Sequence, residues 1–144
     1  MYQDKMNIVG ISGTASVWGD QDGTESDIDK IIGVYGKDLT KLREHSGAFK
    51  SVDTLKAISH QGATDTAPSK GYSTQTAASK AIVAEANKAA AVGEKLNVLT
   101  WGGETDLAQA LHDASGIAPH IRFFSIDHQD PNAKKYIANN RVIA

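Results

Sequence analysis

The sequence predicts an α/β fold, a parallel β-sheet flanked by helices, and three observations carry that prediction. Short apolar runs bounded by Gly, Pro or polar residues occupy 7–15 (NIVGISGTA), 96–101 (LNVLTW) and 121–126 (IRFFSI), as strands do. Between them, apolar residues recur every three or four positions, the spacing of one helix face. Strands therefore alternate with helices, an order that makes parallel strands joined by helical crossovers and places ligands beyond the strands' carboxyl ends.

In the first run Ile8, Val9 and Ile11 precede Gly and Ser, as in a buried strand entering a loop that continues through VWGDQDG. From Ser26, Ile28, Ile31, Ile32, Tyr35, Leu39 and Leu42 mark one face of a helix ended by Gly47. Gly33 and Gly36 each cost that helix about 1 kcal/mol relative to Ala, so both are expected where a neighbour packs closely. Ser51 suits the N-cap of a short helix carrying Val52, Leu55 and Ile58, with Gly62 as its stop and 62–73 as a loop.

Ala77, Ala78, Ala81, Ile82, Val83, Ala86 and Ala89 build a helix closed by Gly93, with side chains small enough to approach a sheet. After the run at 96–101, Gly102-Gly103 breaks the strand before a helix bearing Leu107, Ala108, Leu111 and Ala114. Asp106 and Gln109 are spaced as a capping box, and Gly116 supplies the stop. The run at 121–126 leads through a polar turn to a short helix at 131–137 and a further strand from Arg141.

At 144 residues the chain suits one domain, on a prior of roughly 100–200 residues each. Its 40% hydrophobic and 22% charged content is ordinary globular usage. Lys and Arg total 15 against 17 Asp and Glu, and no basic run could neutralise several phosphates, so nucleic acid is not an expected partner. Absence of cysteine removes disulfides, thiolate nucleophiles and Cys-based zinc sites while leaving the compartment open. No apolar stretch approaches the ~18–20 residues of a membrane span, and Met1 to Lys5 is no basic leader, so the chain is expected to be soluble.

The strand-end rule focuses on three polar segments, 12–22, 101–106 and 125–130. They supply Asp20, Asp22, Glu104, Asp106, Asp127 and Asp130, with Trp18 and Trp101 among them. Each carboxylate taken alone more often serves as a turn former or cap, and three such loops at one sheet edge shift the balance toward a site. In TWGGETD, Gly102 and Gly103 allow a ligand close to the backbone, and the following helix turns its free N–H groups toward it. A tight strand-to-helix turn with Asp106 merely capping is an equal reading. In SIDHQDP, Asp127, Gln129 and Asp130 could coordinate a hard cation or sugar hydroxyls, or simply form an Asp-Pro turn opening the last helix, and His128 could act as acid or base.

Other sites fail on spacing. The five histidines form no H-x-x-x-H or H-x-H pair, Gly10-Ile11-Ser12-Gly13-Thr14 is not G-x-S-x-G, and neither G-x-G-x-x-G nor a P-loop occurs.

The segments NIVGISGTAS, KLREHSGAFKSVDTLKAISHQGA, LNVLTWGGETDLAQAL and IRFFSIDHQD, in this order and spanning about Met6 to Ile137, resemble the nucleoside hydrolase-like domain of bacterial proteins labelled cellulose-binding or sugar-binding, the DUF1593 family. More distantly the chain is similar to inosine-uridine nucleoside hydrolases. The resemblance implies a Rossmann-like three-layer fold. It also implies a calcium ion held by an Asp-rich loop that positions the attacking water and the ribose hydroxyls. The family's G-P-L-T-N-x-A segment matches Gly102 to Ala108, which nominates the Thr105 carbonyl as a metal ligand and puts Asp106 where Asn is common.

The match begins at what corresponds to the family's second strand, so the Asp-rich loop and the distal part of the domain are expected to be missing. The chain is then one partial, incomplete nucleoside hydrolase-like domain over 1–144. Its family chemistry would be hydrolysis of an N-ribosyl type glycosidic bond, with no activity expected of this chain alone. The alternatives are a carbohydrate-binding module that stacks sugar on Trp18 and Trp101, and a half-domain completed by association with another copy. The partner implied is a small sugar or nucleoside. Relatives are often exported from bacteria, although no export signal stands at the start.

Overall fold

A computed structural model describes residues 6–18, 23–127 and 129–140. In chain order it contains β1 (Ile11–Gly13), α1 (Glu25–His45), α2 (Val52–Lys56), β2 (Ser59–Gln61), α3 (Ala77–Ala91), β3 (Leu96–Thr100), α4 (Thr105–Asp113), a 3-10 helix (Ser115–His120), β4 (Ile121–Ser125) and α5 (Pro131–Asn139). The expected alternation is present. The strand expected from Arg141 lies outside the described residues.

The strands form two parallel pairs. Ile11, Ser12 and Gly13 of β1 lie opposite Ser59, His60 and Gln61 of β2, and Leu96 to Thr100 of β3 run beside Ile121 to Ser125 of β4. Beyond their carboxyl ends the pairs are stitched together. Ala15 N–H donates to the Ala63 carbonyl at 2.8 Å, and Gly103 N–H donates to the Ala15 carbonyl at 2.9 Å. The strand ends therefore stand side by side in the order β2, β1, β3, β4.

One strand escaped the sequence reading. The short helix stops at Lys56 rather than running to Ile58, and the polar triplet Ser59–Gln61 becomes β2. Nothing in its own pattern marks a strand. Its backbone is held by β1, with Ile11 N–H donating to the Ile58 carbonyl at 2.9 Å and Gly62 N–H to the Gly13 carbonyl at 2.8 Å. The first run is likewise shorter than expected, its regular pairing confined to Ile11–Gly13.

Helix α1 starts at Thr24, whose hydroxyl accepts from Asp27 N–H, and carries Glu25 and Asp27 in its first turn and Arg43 and His45 in its last, charges that suit the helix dipole. The two internal glycines divide. A Cβ on Gly36 would strike the Val52 side chain of α2, so close packing holds there, whereas Gly33 faces open space and the expectation of a tight contact fails. Helix α3 has a capping box in which Thr76 and Ser79 exchange hydrogen bonds, and Gly93 at φ +73° closes it in a conformation that a side chain disfavours. After α4 the chain continues into the 3-10 helix, which contains Gly116 and Pro119, rather than stopping at Gly116.

The core gathers Ala86 of α3, Leu107 and Leu111 of α4, Ile117, Ile121 and Ile137 of α5, with Leu96, Val98 and Phe123 packed against them. Alternate strand residues thus face the helices. The opposite face of β3 and β4 leaves Leu99 and Phe124 half exposed, with Ile126 and Trp101 more so. Parallel sheets are ordinarily covered on both faces, and among the described residues this one is covered on one. No helix among them is long and apolar enough to cross a membrane.

Candidate functional site

The loops that follow the four strands meet at one edge. Gly103 is required there by close approach, since a Cβ on it would collide with the Ala15 carbonyl oxygen. Gly102 is half-buried against the Thr14 side chain. The double glycine therefore serves first to let the β3 end lie against the β1 end.

Gln129 ties three of these loops together. Its amide nitrogen donates to the Trp101 carbonyl at 2.9 Å, its side-chain oxygen accepts from the Ser16 hydroxyl, and its backbone carbonyl accepts from Val17 N–H at 3.0 Å. The Ser16 hydroxyl in turn accepts from Trp18 N–H at 3.1 Å. Trp18 and Trp101 are consequently held by their backbones at the same edge while their side chains stay 73% and 71% exposed.

The acidic residues behave differently from the tryptophans. Glu104, Asp106 and Asp130 are 1%, 6% and 0% exposed, and protein donors occupy them. Asp130 accepts from Ala67 N–H at 2.7 Å, from the Thr105 hydroxyl and, as N-cap of α5, from Ala133 N–H at 3.1 Å. Glu104 accepts from the Ser125 hydroxyl at 2.8 Å and from Asp130 N–H at 3.1 Å. Asp106 accepts from Ala63 N–H at 3.1 Å and from the Thr76 hydroxyl at 2.6 Å.

Asp106 therefore caps nothing of its own helix, which corrects the capping-box expectation. Glu104 is the N-cap of α4 and makes no side-chain cap bond, while Asp106 sits in the first turn and reaches sideways to β2 and α3. Burial pushes the Asp106 carboxyl above the ordinary carboxylate range, with the Thr76 and Ala63 hydrogen bonds opposing. Burial raises Glu104 too, opposed by its hydrogen bonds from Ser125 and Asp130 N–H and reinforced by the Asp130 charge.

Asp127 is exposed at the rim, where its backbone carbonyl shares the one Ser125 hydroxyl proton with the Glu104 carboxyl. Asp20, Asp22 and His128 lie outside the described residues. A calcium ion asks for six to eight oxygen ligands. Thr105 is fully buried and gives its hydroxyl to Asp130, a bond that leaves the role nominated for its carbonyl untouched, and among the described residues no group of three or more His, Asp or Glu side chains is placed to hold a metal ion.

The sequence reading missed Ser16, Ala63, Thr76 and Ser125, which complete the network. Thr76 had a readable signal, a Thr three residues before Ser79 at the head of an alanine-rich helix. The others had none, because their partners lie far along the chain.

Over residues 1–141 the sequence matches the family described as the cellulose-binding Sde182, nucleoside hydrolase-like domain. The fold is also similar to a solved structure, that of a nucleoside hydrolase-related hypothetical protein from Saccharophagus degradans associated with carbohydrate metabolism. That match has a TM-score of 0.80 at 23% identity and covers 92% of this chain but 34% of the other, so the chain spans about a third of that protein's length. No curated protein matches the sequence.

Proposed function

The chain belongs to the cellulose-binding Sde182, nucleoside hydrolase-like family, and from that premise we propose that it binds carbohydrate at the strand-end edge without cleaving it. The observation that carries this reading is the exposure of Trp18 and Trp101 on loops tied together by Gln129. Indole faces suit the apolar faces of sugar rings, and the polar loop atoms beside them suit hydroxyls. Cleavage would instead need an acid and a base open to substrate; of the described acidic residues in the three strand-end segments, Glu104, Asp106 and Asp130 are buried and engaged and Asp127 alone is exposed.

Titration with cello-oligosaccharides while following tryptophan fluorescence tests the reading. A saturable change, lost in Trp101→Ala, is expected, and a flat response at millimolar ligand overturns it. Release of base from nucleosides, with or without calcium, should be absent; turnover would restore the hydrolase reading.

The bare face of β3 and β4 favours a second reading, in which the fold is completed by another copy of the chain. Leu99, Phe124 and Ile126 would then lie in the contact. Light scattering should show mass rising with concentration and falling back in Ile126→Lys. A monomer throughout would remove this reading and leave the first untouched.

A further inference from the structure

The bare face of β3 and β4 has a counterpart elsewhere on the chain. Helix α1 packs on β1 and β2 with Ile32 buried, and at about 100° per residue Ile31, Val34 and Asp38 fall together within roughly 60° of arc on its outer side. Ile31 and Val34 are 70% and 59% exposed, although helical spacing put Ile31 on the buried face. Asp38 is exposed and has no ion partner among the described residues. An apolar stripe that ends in an acid therefore stands open on α1.

The bare face has the complementary makeup. Leu99 and Phe124 lie opposite one another, and the next pair toward the strand starts on the same face is Asn97 and Arg122, both exposed. Arg122 likewise has no ion partner among the described residues. Two strands about 4.8 Å apart make a bed roughly 10 Å wide, the width of one helix.

Helix α1 and this bed lie on the same side of the sheet. The crossovers from β1 to β2 and from β2 to β3 run in opposite directions along the strand order, so right-handed connections put α1 on one face and α3 and α4 on the other. Helix α1 covers the β1 and β2 half, and the half beside it carries no helix among the described residues.

We propose that two copies of the chain associate about a two-fold axis parallel to the strands, so that the α1 of each lies in the β3–β4 bed of the other. This deepens the reading in which a second copy completes the fold, and rests on it. Such an axis preserves depth below the strand ends. Helix α1 starts at those ends, with Thr24 against Gly13, and its rise of about 1.5 Å per residue carries Ile31 and Val34 roughly 10 and 15 Å down. At about 3.3 Å per strand residue, Leu99 with Phe124 and Asn97 with Arg122 span that depth, and Asp38, one turn further, comes within reach of the long Arg122 side chain. The contact is self-complementary and is made twice, as closed two-fold symmetry requires.

Light scattering of the whole chain tests this against a pairing of the two beds face to face. Val34→Lys and Leu99→Lys, both at exposed positions, should each give monomer, and their equimolar mixture should recover a dimer, since one intact stripe then meets one intact bed. Arg122→Asp should weaken dimerisation about tenfold, each contact being made twice, and Arg122→Asp/Asp38→Arg should restore it. The chain has no cysteine, so a mixture of Val34→Cys and Leu99→Cys chains reports the contact without a lysine in the interface: oxidation should join unlike chains. A Val34→Lys variant that dimerises like the parent, or Leu99→Cys chains that join each other instead, overturns the placement of α1 and leaves the second-copy reading standing. A parent that stays monomeric at every concentration overturns both.

Discussion

Thr76, the N-cap of α3, gives its hydroxyl to Asp106 of α4 at 2.6 Å, while Asp106 also accepts the backbone N–H of Ala63 beyond β2. One carboxylate thus fixes two helices and a strand end relative to one another. Asp106→Ala leaves a buried N–H and a half-buried hydroxyl without an acceptor, at a cost of about 2–4 kcal/mol. Urea unfolding should show that loss, with Asp65→Ala, at an exposed site, within about 0.5 kcal/mol of the parent.

Asp130 closes the matching clasp on the other side, holding the 62–76 loop through Ala67 N–H, α4 through Thr105 and α5 through Ala133 N–H. Asp130→Ala should cost about 3 kcal/mol or more, and Thr105→Val less, because the valine leaves Asp130 with two of its three donors. The two losses should fall short of adding in the double variant, since both act on one network, and a double-mutant cycle by chemical denaturation measures the shortfall.

Burial raises the carboxyls of Glu104 and Asp106, and this sets the sign of their contribution to pH dependence. Between the unfolded and the raised native value the folded state binds more protons than the unfolded chain. Their contribution is then fully present below the ordinary carboxylate range, about pH 4, and is lost as pH rises through the raised values. The difference in stability between the parent and Glu104→Gln/Asp106→Asn, measured across pH 4 to 7, should therefore change in favour of the variant as pH rises. A difference independent of pH would contradict it.

Two glycines should respond in opposite directions to alanine. Gly103→Ala drives a methyl into the Ala15 carbonyl oxygen and should cost about 2 kcal/mol or more, separating the β3 end from the β1 end. Gly33→Ala meets open space within α1 and should stabilise by up to about 1 kcal/mol. Thermal or urea midpoints of the two variants check both.

Trp18→Ala and Trp101→Ala remove side chains that are mostly exposed, so each should change stability by about 0.5 kcal/mol or less while removing the response to oligosaccharide. A large loss of stability would mean that the indoles serve the fold.

The sequence by itself determined the alternation of strands and helices and most helix positions, because those follow from local spacing and caps: the alanine run of α3 closed by Gly93, and LNVLTW and IRFFSI as strands. It also placed Trp18, Gly102, Gly103 and Gln129 at the strand-end edge. Only the tertiary structure decided which of those polar residues face outward. Glu104, Asp106 and Asp130 read as equally available to a ligand or to the backbone, and their partners, such as Ala63 for Asp106 and Ala67 for Asp130, stand about 43 and 63 residues away in the chain. The strand Ser59–Gln61 was hidden for the same reason. A buried polar group takes whatever partner the fold brings to it, and that partner leaves no trace in local spacing.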